Sequence, residues 1–209
     1  SGRAFARMVL LRGRCYMIGG TQPSSSGATT HPDIALWCLN PETAEWSKVA
    51  VKGASTSALL GSGDEFHSFA MHAHEATARL FVLYGEYRGG QTAAASGNNN
   101  TRSGACFVLD LSSVVADPSG AGSAGRQHPS WQQVKAVEMD GVTPYRCLPR
   151  KQVASCVIDS GRCILLHGGE SEDDVSEDIL ELFDMEAMRF RRLPLLGHPP
   201  RPTSEHMIM

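Results

Sequence analysis

We predict an all-β fold for this chain of 209 residues, built from three copies of one unit of four short antiparallel strands. The first observation is an apolar, strand-like run that ends at a glycine site, and it occurs three times, at Gly19–Gly20, Gly85 and Gly168–Gly169. The second observation is that another apolar run precedes each of these runs after a short break. Two adjacent apolar runs with a tight turn between them are typical of a β-hairpin.

A third and a fourth strand follow in each copy. The third is predicted at 34–39, 105–109 and 179–183. An Asx residue, which favours a turn, then precedes a large aromatic residue that starts the fourth strand. The pairs are Asn40 with Trp46, Asp184 with Phe190 and, farther apart because of an insertion, Asp110 with Trp131.

Repetition of a four-stranded unit predicts a β-propeller, because each unit buries a sheet face only by packing on its neighbour. The blade boundaries are predicted at 1–66, 67–150 and 151–200, with 201–209 as the first strand of a further blade. Loop insertions are predicted at 21–33, 88–104 and 115–130, where the composition is polar or small and varies between copies.

The order of glycine doublet, Asx turn and aromatic residue resembles the kelch repeat, and the resemblance spans essentially the whole chain. Three positions depart from the repeat: Glu86 replaces the second glycine, Phe190 replaces the usual Trp, and Leu39–Asn40 replaces Tyr-Asp. Kelch propellers usually close with about five to seven blades, so the resemblance implies a propeller fragment. We expect its partners to include the remaining blades of the same propeller. In isolation the segment should be poorly stable or self-associate.

Composition narrows the range of functions. A net charge of −3 and a pI near 6.2 give no attraction for nucleic acid, and none is expected as a partner. No apolar run approaches the roughly 18 residues that span a bilayer, so no membrane association is expected. The six cysteines lack C-x-x-C spacing and mostly lie in apolar runs, which indicates buried free thiols. A reducing, cytoplasmic location is therefore predicted.

Two clusters of potential ligands are expected to hold no metal. His67, His72 and His74 lack a marked further ligand, and we expect surface or loop histidines. The run 170–178 has six acidic residues without the glycine and terminal Glu spacing of an EF-hand, so we expect a solvated acidic loop. The alternative is a contact patch for basic partners, which phosphorylation of Ser171 would make more negative.

Motifs for catalysis are missing from the sequence, which has no G-x-S-x-G, P-loop, H-E-x-x-H or dinucleotide fingerprint. We therefore predict a non-catalytic protein-interaction module that acts as a scaffold or substrate-recruiting surface, without cofactors. The alternative is an accessory propeller of an enzyme, oxidase or methyltransferase-like, whose catalytic residues lie or are completed outside this segment. A packed subunit of a large assembly is a third possibility.

The kelch resemblance also implies a binding face. In that family, ligands often dock on the lead-in loops before each first strand and on the loops after the glycine doublets. The matching residues are Arg3, Arg146, Lys151 and Arg201 in the lead-ins, and Thr21, Tyr87, Arg88 and Glu170 after the doublets. Arg and Tyr are common binding hot spots, so an acidic or phosphorylated peptide is the expected ligand. Alternatively, the arginines are solvated charges at strand edges.

Overall fold

The protein is described by a computed structural model that covers residues 6–19, 35–51, 65–88, 100–102, 105–115 and 128–197. Within these residues the fold is all-β, as predicted, and comprises three four-stranded antiparallel sheets. Sheet 1 contains β1 (Arg7–Leu11), β2 (Arg14–Ile18), β3 (Trp37–Asn40) and β4 (Glu45–Lys48). Sheet 2 contains β6 (Ala70–His74), β7 (Arg79–Leu83), β10 (Cys106–Asp110) and β11 (Trp131–Gln133). Sheet 3 contains β12 (Ala154–Ile158), β13 (Cys163–His167), β14 (Leu180–Asp184) and β15 (Arg189–Leu193).

A further, small sheet lies beside sheet 2. It pairs β5 (Glu65–His67), β8 (Glu86–Arg88) and β9 (Asn100–Arg102), with β8 in the middle. The predicted loop insertion 88–104 therefore includes strand residues at both ends, and Tyr87 and Arg88 lie in a strand rather than a loop. A polar, glycine-rich composition concealed this pairing because these strands carry no apolar alternation. The described helices are α1 (Ser112–Val115) and a 3₁₀ turn (Asp159–Gly161).

The predicted Asx turns form in all three main sheets at the end of the third strand. The side-chain Oδ1 of Asn40 accepts a hydrogen bond from the Glu42 N–H at 3.1 Å. Asp110 and Asp184 accept equivalent bonds from backbone N–H groups two residues onward, both at 3.0 Å. Each side chain thus satisfies a turn donor that has no strand partner, which favours the chain reversal at this point.

Sheet 2 lies between the other two, so the molecule has two sheet-to-sheet interfaces. The first interface, between sheets 1 and 2, is apolar and includes Tyr16, Ile18, Leu80, Phe107 and Trp131. The second interface, between sheets 2 and 3, includes Phe81, Leu83, Ile164, Phe183 and Phe190. Facing sheets that interdigitate aromatic and aliphatic side chains remove large apolar areas from water, which is the main stabilisation available to an all-β fold.

The three main sheets share one direction. Each first strand begins, and each second strand finishes, at the same end of its sheet, as the pairings of Arg7 with Ile18, Ala70 with Leu83 and Ala154 with His167 show. We call this end, with the glycine sites and the lead-ins, the loop end. The opposite end carries the short reversals between first and second strands, and we call it the turn end.

His72 and His74 lie inside the fold, contrary to the expectation of surface or loop positions. They stand in β6 on the side that faces sheet 3, where His72 Nε2 lies 2.8 Å from Ser155 Oγ. His74 is almost fully buried, and its Nε2 lies 3.7 Å from Glu186 Oε1. In this strand the residues at i and i+2 are polar and face the neighbouring sheet. Sequence alone did not show this, because polar residues that alternate with apolar ones usually face solvent.

All six cysteines are unpaired, and Cys38, Cys106 and Cys163 are buried, as the sequence predicted. None of the described helices is both long and apolar enough to cross a membrane. The cytoplasmic location stays a prediction, as do the blade boundaries. The predicted insertion 21–33 and the final strand at 201–209 lie outside the described residues.

Candidate functional site

A buried ion pair joins sheets 2 and 3 near the loop end. Arg150, in the lead-in to β12, has no exposed surface, and its guanidinium donates to the carboxylate of Glu181 in β14, which is equally buried. Removing two charges from water is costly, and it is tolerated only when further hydrogen bonds satisfy the remaining donors and acceptors. The surrounding residues provide such bonds for the carboxylate and for the two terminal guanidinium nitrogens, whereas Arg150 Nε has no hydrogen-bond partner among the described residues.

Two tyrosines complete the coordination of the Glu181 carboxylate. Tyr84 donates its hydroxyl to Oε2 and Tyr145 donates to Oε1, both at 2.5 Å. The Tyr84 ring also lies under the Arg150 guanidinium, 4.7 Å from its carbon, in a cation–π contact. We call Tyr84, Tyr145, Arg150 and Glu181 the buried network. It links one residue after β7, two residues of the lead-in and one residue of β14.

The buried network holds its hydroxyls and a neighbouring thiol in their neutral forms. Burial, reinforced by the Glu181 carboxylate, raises the pKa of Tyr84 well above its usual value. Burial and the same carboxylate also raise the pKa of Tyr145. Burial raises the pKa of the Cys147 thiol to about 12, with Glu181 adding to the shift. A thiol with so high a pKa is protonated at neutral pH and is a poor nucleophile.

Arg150 also joins the glycine sites of two neighbouring sheets. Its carbonyl accepts a hydrogen bond from the Gly85 N–H at 3.1 Å, and its guanidinium donates to the Gly168 carbonyl at 2.6 Å. Gly85 follows β7 in sheet 2, whereas Gly168 follows β13 in sheet 3. One side chain and its backbone therefore fix the lead-in of sheet 3 against both sheets.

The second glycine of the doublet Gly168–Gly169 is required by close packing. Gly169 has a φ of +93°, and a Cβ there would lie 2.7 Å from Val153 Cγ2 and 2.9 Å from the Lys151 carbonyl oxygen. Contacts below 3.0 Å with backbone cannot be relieved by rotating a side chain. The doublet thus lets the lead-in backbone lie against the end of sheet 3.

Lys151 and Glu170, two of the predicted contact residues, are in direct contact. Their backbones exchange two hydrogen bonds, at 3.1 Å and 3.0 Å, and their side chains form an ion pair at 3.1 Å. The Lys151 ammonium also lies 3.8 Å from carboxylate oxygens of both Glu86 and Asp174. Three carboxylates therefore surround one ammonium, and the local net charge is negative.

Five of the eight predicted contact residues are described, and all five lie at the loop end. Arg146 is exposed in the lead-in next to Tyr145, and Lys151 and Glu170 are partly buried. Tyr87 and Arg88 continue from Glu86 in β8, which pairs with β5 and β9. Arg3, Thr21 and Arg201 lie outside the described residues.

The sequence did not single out Arg150, Glu181, Tyr84 or Tyr145 as a group. One signal for Arg150 existed, since Pro149–Arg150 matches Pro200–Arg201 in the next predicted lead-in. Glu181 gave no such signal because a glutamate in an amphipathic strand is normally solvent-facing. Within the described ranges no group of three His, Cys, Asp or Glu side chains has the arrangement of a metal site.

Comparisons with known proteins identify the fold alone. No protein-family model matches the chain, and no curated protein matches it in sequence. The solved structure of YjhT is similar, with a TM-score of 0.56 and 14% sequence identity over 94% of this chain. The match covers 53% of YjhT, so this chain spans about half the length of that protein. The chain is therefore all-β and propeller-like, made of blade-like four-stranded sheets.

Proposed function

We propose that this chain is a non-catalytic protein-interaction module, a kelch-type propeller segment that holds a partner protein at its loop end. The observation that carries the proposal is the fixation of the sheet 3 lead-in by Arg150 and Glu181, both fully buried. This arrangement presents Arg146 and the 170–178 loop at one end of the molecule without exposing the charges that position them. A preorganised surface loses less entropy when it binds a partner.

The charges at the loop end favour a basic segment of the partner over an acidic one. Lys151 is already neutralised by Glu170, with Glu86 and Asp174 nearby, so it offers little to an acidic peptide. Glu172 and Asp173, in contrast, are exposed in the turn that follows Glu170. Exposed rim charges of one sign increase association rates and select oppositely charged partners. An acidic or phosphorylated peptide at Arg146 is the competing outcome.

The proposal is tested by measuring how two fluorescent peptides, one Lys/Arg-rich and one phosphoserine-rich, bind to the chain at low and physiological salt. We expect the basic peptide to bind, and the Glu172→Lys/Asp173→Lys variant to weaken its Kd about tenfold at low salt. Glu42→Lys/Glu45→Lys is the matched control, because both glutamates are exposed at the turn end and the variant makes the same change in net charge, so binding should be unchanged.

Each outcome discriminates between hypotheses. If the phosphopeptide binds the wild-type chain and the Arg146→Glu variant does not bind it, the ligand is acidic. That result would overturn the preference for a basic partner. If the loop-end and turn-end variants lose the same amount of peptide affinity, the loop end is not the binding face. If neither peptide binds while the chain is folded, the loop end is not a charged-peptide site, and the interaction module in this form is wrong.

A further inference from the structure

A second arginine, Arg192, reaches the carboxylate of Glu181 from β15, the fourth strand of sheet 3. Arg192 pairs with Glu181 across β14 and β15, one position from the loop end. Its side chain is 51% exposed, and one terminal nitrogen lies 4.0 Å from Glu181 Oε1. Burial and Glu181 raise the pKa of Tyr145, and Arg192 opposes this rise through a hydrogen bond to the Tyr145 hydroxyl and through its charge. Arg192 therefore connects the buried network with the surface.

The buried network leaves the charge of Arg192 uncompensated. Glu181 already accepts hydrogen bonds from Arg150 and from two tyrosine hydroxyls, which are neutral, so one carboxylate faces two guanidinium groups. Among the described residues, Glu181 has the only carboxylate within 4.0 Å of Arg192. Arg146, the residue after Tyr145, is exposed and adds a positive charge to the neighbouring lead-in. The half-exposed Arg192 guanidinium therefore has N–H donors and charge available for an anion.

The other side of sheet 3 is acidic at the loop end. The strand order is β12, β13, β14, β15, and the contact between Lys151 and Glu170 lies beside β12 and β13, away from Arg192. Three carboxylates already surround the Lys151 ammonium. Glu172 and Asp173 are exposed in the turn that follows Glu170. We call this turn the acidic margin, and it faces Arg192 across the width of the sheet.

Two to three strand spacings separate the acidic margin from Arg192. Neighbouring strands lie about 4.8 Å apart, so β15 is about 10 Å from β13 and about 14 Å from β12. Charges of exposed groups are screened over about 8 Å at physiological ionic strength, so the two opposite charges do not cancel at this separation. An extended peptide rises about 3.3 Å per residue, and roughly four residues therefore span the distance.

We propose that the loop end of sheet 3 binds a peptide segment of mixed charge, with basic residues at the acidic margin and a carboxylate or phosphate at Arg192, roughly four residues away. This inference rests on the proposed function and adds a second contact of opposite charge to it. Arginine holds carboxylates and phosphates through two parallel N–H···O bonds, which makes the contact specific in direction. The net charge of −3 would by itself favour a purely basic peptide. A preference for mixed charge therefore distinguishes the local charge pattern from the overall charge.

The test compares fluorescent peptides that share an Arg-Lys pair and carry, after a Gly/Ser spacer, a pair of glutamates, phosphoserines or glutamines. Each peptide is made in both chain orders, with spacers shorter than, equal to and longer than about four residues. We expect the glutamate or phosphoserine peptide with the matched spacer to bind about tenfold more tightly than the glutamine peptide at low salt.

Variants of Arg192 assign the anionic contact. Arg192→Gln should remove the advantage of the mixed-charge peptides and leave the affinity for the glutamine peptide unchanged. Arg192→Lys keeps the charge and should retain part of the advantage. Arg191→Gln is the matched control, because Arg191 is exposed and adjacent residues of a strand point to opposite sides of the sheet. Far-UV circular dichroism checks that each variant is folded.

The outcomes separate this inference from the proposed function. Tighter binding of the glutamate or the phosphoserine peptide supports the inference and identifies a carboxylate or a phosphate as the anionic group. If the glutamine peptide binds and neither mixed-charge peptide binds more tightly, the proposed function stands and the contact at Arg192 is wrong. If no peptide binds the folded chain, both are wrong. An advantage of the same size in Arg192→Gln and in the wild type would also overturn the inference.

Discussion

The first and second interfaces use the same strand framework, and one of the equivalent positions at which they differ lies in the third strand. Phe107 in β10 and Glu181 in β14 both stand in the third strand, opposite Val82 and Leu166, and both face the preceding sheet. Phe107 lies in an apolar cluster, where packing does not require hydrogen bonds in defined directions. Glu181 requires Arg150 and two tyrosine hydroxyls in defined positions.

The fold uses directional contacts at the second interface and not at the first. An apolar interface adapts to small shifts, whereas a buried ion pair with hydrogen bonds has one favourable geometry and costs free energy in any other. The directional interface is the one beside the loop-end residues Arg146, Lys151 and Glu170. We infer that the buried network serves positioning of the loop end more than net stability.

The largest expected effect comes from removing one member of the buried ion pair. Glu181→Ala leaves Arg150 charged and buried without its carboxylate, and we expect the free energy of unfolding to fall by about 3–5 kcal/mol in urea titrations. The double variant Arg150→Met/Glu181→Leu, which makes the second interface resemble the first, should be less destabilised than Glu181→Ala. If the double variant has a lower free energy of unfolding than Glu181→Ala, the ion pair does not cost stability relative to an apolar pair, and this prediction is wrong.

Acid should act on the second interface through His72. Burial, with Arg7 contributing, lowers the pKa of His72 from its ordinary 6.5 to about 4. The unfolded chain takes up this proton below pH 6.5 and the folded chain does not, so stability falls as the pH drops toward 4, by up to about 3 kcal/mol. His72→Gln should remove this part of the pH dependence. If the free energy of unfolding depends on pH in the same way in the wild type and in His72→Gln, His72 is not the source of this pH dependence.

The glycine doublet at the second interface offers a matched pair of substitutions. Gly169 and Gly161 have φ of +93° and +96°, but an added Cβ meets backbone only at Gly169 and nothing within 4 Å at Gly161. Gly161→Ala should cost about 1 kcal/mol for the left-handed conformation alone. Gly169→Ala should cost about 2 kcal/mol more because of the close contact with Lys151 and Val153. Equal melting temperatures would show that the close packing is unimportant.

Loss of a single hydroxyl from the buried network should have a smaller effect than loss of the Glu181 carboxylate. Tyr145→Phe removes one hydrogen bond to Glu181 while keeping the ring stacked on Phe190 at 5.1 Å. We expect the free energy of unfolding to fall by about 1.5–3 kcal/mol, the usual range for a hydrogen bond to a charged group. The unfolding free energy is measured by chemical denaturation for this variant and for Tyr16→Phe, since Tyr16 is a buried tyrosine of the first interface. An equal or smaller effect at Tyr145 would indicate that the buried network is loosely formed.

Much of the fold was predictable because its signals are local. Glycine sites, Asx turns and fourth-strand aromatics recur along the chain, and each marks a feature that the backbone needs at that point. The buried network was not predictable because its members come from three segments, and charged or hydroxyl side chains ordinarily indicate solvent exposure. The same reason explains His72 and His74, whose burial depends on sheet 3. The edges of the 88–104 insertion were missed because strands without apolar alternation resemble loops.

The most direct test is amide hydrogen exchange in the folded chain. We expect slow exchange for the amides of Gly85, Lys151, Gln152 and Glu170, whose hydrogen bonds join the lead-in to sheets 2 and 3. In the Arg150→Met/Glu181→Leu variant these four should exchange at least tenfold faster, while strand amides of the first interface, such as Val82, keep their wild-type rates. Unchanged exchange at all four, in a variant as stable as the wild type, would contradict the claim that the buried network positions the loop end.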